Sequence, residues 1–136
     1  MTDLLGLLED ARAREKARTL AYRALAAEAE ELGDAPLAER LNALHADEQH
    51  HLSRLTARVL ELGGRPAELA RTPSTACALD GWEAVQREAE EDEVRWYERA
   101  LATLPRDDVE TEALLAEILE SERHHARELG GKWMPA

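Results

Sequence analysis

The sequence predicts an all-α fold, an antiparallel four-helix bundle with one long crossover between helices two and three. Three observations carry that expectation. Ala, Leu, Glu and Arg dominate and Phe is absent, a strongly helix-forming composition. Apolar residues recur close to a 3.6-residue period through long segments. The links within each half of the chain are short, whereas the link between the halves is long.

The first helix is expected over about residues 3–32, with an inward stripe of Leu4, Leu8, Ala11, Glu15, Thr19, Tyr22, Leu25, Ala29 and Leu32. Gly33-Asp34 ends it, and Asp34 is placed to cap the next helix with Pro36 in its first turn. The second helix runs from about 35 to 62 and stops at Gly63-Gly64. Residues 65–79 lack periodicity and hold Pro66, Pro73, Ser74 and Thr75, so they read as a connection, with a short turn of helix at 67–70. Asp80 is expected to cap a third helix over about 81–104, closed by Pro105. Asp107 or Asp108 starts the fourth, which ends at Gly130-Gly131 and leaves a short tail, 132–136. Links of two or three residues make each pair of helices an antiparallel hairpin. The middle connection is long enough to run the length of the bundle: a helix of 28 residues spans about 42 Å, and 15 extended residues reach roughly 50 Å.

The chain of 136 residues is expected to be a single domain, 1–136, large enough to bury a core without staples. One cysteine, Cys77, excludes an internal disulfide and a cysteine-built zinc or iron–sulfur site, and reads as an inert small residue. No apolar run approaches the roughly 18 residues of a membrane span. Met-Thr-Asp-Leu-Leu at the start has no basic stretch, so no signal peptide and a cytoplasmic location are expected. A net charge of −12 argues against nucleic acid as a partner.

The chemistry lies in two short motifs, Glu48-Gln-His-His51 and Glu122-Arg-His-His125. In each, a Glu and a His three residues apart share one helix face. Both interrupt an apolar stripe: Leu37, Leu41, Leu44, Leu55 and Leu62 around the first, Leu115, Ile118 and Leu129 around the second. A charge on a buried face is costly unless something neutralises it. The motifs belong to an internal repeat. Glu15 is followed seven residues later by Tyr22, and Glu90 seven residues later by Tyr97; Glu15 precedes Glu48 by 33 residues and Glu90 precedes Glu122 by 32. The repeat selects Glu90 among Glu88, Glu90, Glu91 and Glu93.

Glu15, Glu48, His51, Glu90, Glu122 and His125 together form the ligand pattern of a carboxylate-bridged two-metal site. Four carboxylates balance two divalent ions, with the imidazoles neutral. Hard oxygen donors with one imidazole per ion suit iron, or manganese, better than a thiol-seeking metal. Glu48 and Glu122 are expected to bridge, and Glu15 and Glu90 to cap one ion each.

Glu15, Tyr22, Gly33, Glu48, His51 and Leu55, with Glu90, Tyr97, Glu122 and His125, resemble the ferritin-like di-iron carboxylate superfamily, most closely in pattern the rubrerythrin di-iron domain. The resemblance covers about residues 12–60 and 85–129. It implies a ferritin-like bundle holding two iron ions and using O2 or hydrogen peroxide. Rubrerythrins carry an extra Glu one turn after the third-helix ligand, and Glu93 stands there, which implies a role in peroxide reduction. Tyr22 and Tyr97 are implied to donate hydrogen bonds to ligand carboxylates. The chain departs from that family in lacking a four-cysteine rubredoxin domain, so an external electron donor is expected. It also stops after the fourth helix, so a ferritin cage is not expected.

Competing readings stand beside these. The six ligands could pair with Arg in a metal-free bundle; Glu93 could belong to the solvated acidic face of Glu88, Glu91 and Asp92; and the tyrosines could be ordinary core residues. His50 and His124 are expected as interface or supporting groups, His45 as a surface or supporting residue, and Trp82, Trp96 and Trp133 in packing or subunit contact. Leu5, Leu20, Leu52 and Trp96 lie beyond the ligand stripe and suggest a homodimer. The favoured function is a di-iron or di-manganese redox protein that oxidises Fe(II) or reduces peroxide or O2. The alternatives are an oxygenase acting on an organic substrate and a non-catalytic metal-binding helical module.

Overall fold

The computed structural model describes residues 3–71 and 78–132. Pro73, Ser74, Thr75, Cys77 and Trp133 lie outside the described residues. Leu5–Asp80 form one compact unit, and the described residues from Gly81 onward belong to another.

The first unit is a helical hairpin of α1 (Leu4–Glu31) and α2 (Ala35–Glu61). α1 ends where Gly33 takes a left-handed backbone, φ 74°, which lets the Gly33 N–H reach the Glu30 carbonyl and the Asp34 N–H reach the Ala29 carbonyl. Asp34 then accepts from the Leu37 N–H at 3.2 Å and caps α2, with Pro36 in the first turn. Cross-links show the helices run antiparallel: Arg23 bonds Asn42 at 3.3 Å near the turn, and Arg12 Nε bonds Thr56 Oγ1 at 2.9 Å at the far end. Leu8 and Leu25 on α1 and Leu41 and Leu55 on α2 are wholly buried, each worth roughly 2 kcal/mol. α2 closes at Gly63, φ 82°, where the Gly64 N–H reaches the Val59 carbonyl at 2.9 Å.

Three expectations fail in this hairpin. Leu32 is 70% exposed, because it follows the last helical residue and the chain already turns away from the stripe. Leu52 is buried, on the same side of α2 as His51 and Leu55, rather than on an outer face. Residues 67–70 are not helical: the Ala67 N–H donates to Glu9 at 2.6 Å and its carbonyl accepts from Arg12 at 3.1 Å, so α1 side chains supply the partners a helical turn would have used.

The second unit pairs α3 (Trp82–Thr103) with α4 (Val109–Arg127). α3 starts at Gly81, φ 71°, without a side-chain cap, so Asp80 does not take the capping role; Glu83 in the first turn still complements the helix dipole. The link is longer than expected. Leu104 is extended, as a residue before proline prefers, and 105–108 turn the chain before Asp108 accepts from the Thr111 N–H at 3.0 Å. Glu98 and Arg123, 3.2 Å apart, tie the antiparallel helices at their exposed edge. α4 does not stop at Gly130-Gly131. It widens into a π turn, Glu128–Lys132, which keeps Leu129 buried. Among the described residues no helix is long and apolar enough to cross a membrane.

Candidate metal centre

Glu15 stands midway along α1, opposite Glu48 and His51 on α2. Helical spacing alone brings Glu48 and His51 to one face, and the antiparallel register of the hairpin sets Glu15 against them. Both carboxyls are fully buried and His51 nearly so. His51 Nδ1 lies 3.1 Å from a Glu15 oxygen and 3.3 Å from a Glu48 oxygen. The second hairpin repeats the arrangement with Glu90 on α3 and Glu122 and His125 on α4, again buried. His125 Nδ1 is 3.4 Å from Glu122 and 3.8 Å from Glu90. Within each hairpin the three residues offer donor atoms lying within 4.8 Å of one another.

Burial alone would lower the His51 pKa. The hydrogen bonds and charges of Glu15 and Glu48 outweigh it and raise the pKa to about 9, so the metal-free hairpin holds an imidazolium at neutral pH. Two carboxylates and one imidazole per hairpin, buried and mutually close, match the donor preferences of iron or manganese. The residues therefore fit such an ion on their own chemistry.

The remaining candidates separate by burial. Tyr22 and Tyr97 are fully buried, one in each hairpin, seven residues after Glu15 and Glu90. Trp96 meets Tyr97 edge-on, with ring centroids 5.0 Å apart. Glu93 is 5% exposed, while its neighbours Glu88, Glu91 and Asp92 face solvent. Glu93 thus stands on the inner side of α3 with Glu90, not on the acidic outer face. Trp82 is buried and Trp96 half-buried. His50 and His124 are exposed, and His124 pairs with Glu128 at 2.7 Å. His45 is half-buried, and its pKa is lowered by burial first and then by the charges of Arg23 and Lys16.

Sequence reasoning passed over Arg18. It is 8% exposed, with its guanidinium carbon 4.9 Å from the Tyr22 ring centroid. The repeat held the signal: with Glu15 set on Glu90 and Tyr22 on Tyr97, Arg18 falls on Glu93.

No protein-family model matches the chain, and no curated protein matches it. Solved structures do. The chain superposes on Mycobacterium tuberculosis bacterioferritin, BfrA, with a TM-score of 0.86 and 23% identity, covering 95% of this chain and 82% of that one. A second structure of BfrA from M. tuberculosis gives 0.83 at 23% identity, covering 96% and 83%. The bacterioferritin of Desulfovibrio desulfuricans, described with its diiron site in different catalytic states, gives 0.83 at 21%, covering 95% and 77%. The fold is therefore the ferritin-like all-α four-helix bundle with a long link between the second and third helices.

Proposed function

We propose that the two buried Glu–Glu–His sets close around a shared pair of divalent metal ions, iron foremost, and that the protein is an oxidoreductase of ferroxidase or peroxide-reducing type. The observation that supports this most is the duplication itself: the same donor set, buried in each of two hairpins, within a ferritin-like fold. The diiron site named for the D. desulfuricans bacterioferritin is in keeping with it.

On this reading His51 and Glu15 would hold one ion, His125 and Glu90 the other, and Glu48 and Glu122 would serve both. When bound, a ferrous pair would supply two electrons, which with two protons would reduce one hydrogen peroxide to two waters, and an external electron donor would restore them. The burial of the carboxylates keeps water out and strengthens their hold on a cation. His51 would have to release its proton to bind a cation, so its basicity would make loading pH-dependent. Tyr22 and Tyr97 orient ligand carboxylates through their hydroxyls. Glu93 adds a carboxylate on the α3 side, which inclines the site toward the peroxide reaction of rubrerythrins; the bacterioferritin likenesses do not single out that branch. The protein acts in the cytoplasm as a twofold homodimer through faces that include Leu5, which is 37% exposed. Sedimentation at tens of micromolar tests the dimer, and a lone monomer or a 24-subunit shell would contradict it.

Metal analysis of protein purified from its native host tests the function. Two iron ions per chain, reoxidised by peroxide or O2 after anaerobic reduction, are expected. Metal-free protein, or a bound ferrous pair inert to both oxidants, would leave a structural helical module as the better account.

A further inference from the structure

The repeat that matches ligand to ligand also matches Arg18 to Glu93. Each stands three residues after the capping Glu and four before the buried Tyr. Each is buried, at 8% and 5% exposure. Their charges are opposite. Arg18 cannot shed its proton and is held against the Tyr22 ring. With the carboxyls ionised and the imidazoles neutral, as metal binding requires, Glu15, Glu48 and Arg18 sum to −1, whereas Glu90, Glu122 and Glu93 sum to −3. In a poorly screened interior, a two-charge difference one helical turn from the donors acts directly on any cation there.

We infer that the two metal positions are unequal: the α3–α4 position, with Glu90, Glu93 and His125, fills first and holds its ion tightly, and the α1–α2 position, with Glu15, His51 and the nearby Arg18, fills second and exchanges. This rests on the dinuclear reading above. Arg18 is here a positioning charge that touches neither ion. It makes the first-hairpin position the one through which metal enters and leaves, and Glu93 makes the other the permanent anchor.

Titration with Co(II), followed by calorimetry and by the visible Co(II) bands, tests the order. Wild type should take up two Co(II) per chain in two steps whose affinities differ by about tenfold or more. Arg18→Gln should tighten the second step by about tenfold and leave the first nearly unchanged. Glu93→Gln should weaken the first step by a similar factor, which keeps the test open should Arg18→Gln fold poorly. His51→Ala should retain one tight Co(II), and His125→Ala should lose the tight step. Two equal steps in wild type, or Arg18→Gln and Glu93→Gln proteins that bind as wild type does, would overturn the inference and leave the dinuclear reading standing. Failure to bind any Co(II), Fe(II) or Mn(II) would overturn both.

Discussion

The two hairpins carry the same donor set in differently charged surroundings. In the first, His51 sits 3.1 and 3.3 Å from its carboxylates and Arg18 is buried one turn from Glu15. In the second, His125 sits 3.4 and 3.8 Å from its carboxylates, and Glu93 takes the place that Arg18 has in the first. The first hairpin buries a guanidinium one turn after its first Glu; the second buries a third carboxyl at the matching place. A duplicated Glu–Glu–His set thus need not make two equivalent surroundings, because the neighbouring residues set the local charge.

The largest effect should come from the residues expected to serve both ions. Glu48→Ala or Glu122→Ala should abolish binding of both, measured as metal retained after loading and gel filtration. One ion retained in either variant would show that the two hairpins bind independently and break the comparison at its root.

Removing metal should expose the first hairpin's reliance on its proton. The His51 pKa in the metal-free fold is about 9 against an ordinary 6.5. Raised in the fold, it contributes stability that is fully present below about pH 6.5 and is lost as pH rises through about 9, an amount on the order of 3 kcal/mol. Metal-free protein should therefore melt progressively lower from pH 6.5 to 9, and the gap to metal-loaded protein should be wider at pH 8 than at pH 5. His51→Ala should flatten the slope of the metal-free form. Equal melting temperatures with and without metal at pH 8 would contradict a buried carboxylate cluster.

Glu93→Ala should load Fe(II) at saturating concentration yet oxidise it with peroxide about tenfold more slowly, as expected for a lost buried carboxylate near the ions. Stopped-flow traces matching wild type with both peroxide and O2 would return Glu93 to a packing role.

The smallest effects concern the turns. Gly33→Ala has open space but must hold φ 74°, and should cost about 1 kcal/mol. Asp108→Ala removes the only side-chain cap at the start of α4 among the described residues, again about 1 kcal/mol. Thermal melts that respond to neither change would mean the hairpin turns do not limit stability.

The helices and the burial of the six Glu and His residues were legible in the sequence because the apolar stripes and the repeat constrain them jointly. Glu90 was separable from Glu88 and Glu91 only through the repeat, and burial separates them the same way. What escaped was what tertiary contact decides. Arg18 is polar in composition yet lies inside, since its long stem buries well and its charge rests on an aromatic face. Glu93 could not be told from the acidic face of α3 by periodicity alone. Ala67 looked helical until Glu9 and Arg12 supplied its backbone partners. Asp80 carried a capping signal, but Gly81 adopted the cap conformation without it.

The proposed dinuclear centre is tested most directly by spectroscopy of iron-loaded protein. Loaded anaerobically with two 57Fe(II) per chain and then oxidised, the protein should give Mössbauer spectra of a magnetically coupled ferric pair and almost no mononuclear ferric signal in electron paramagnetic resonance. Two ferric ions per chain that are magnetically independent, or a stoichiometry that stops at one, would contradict it.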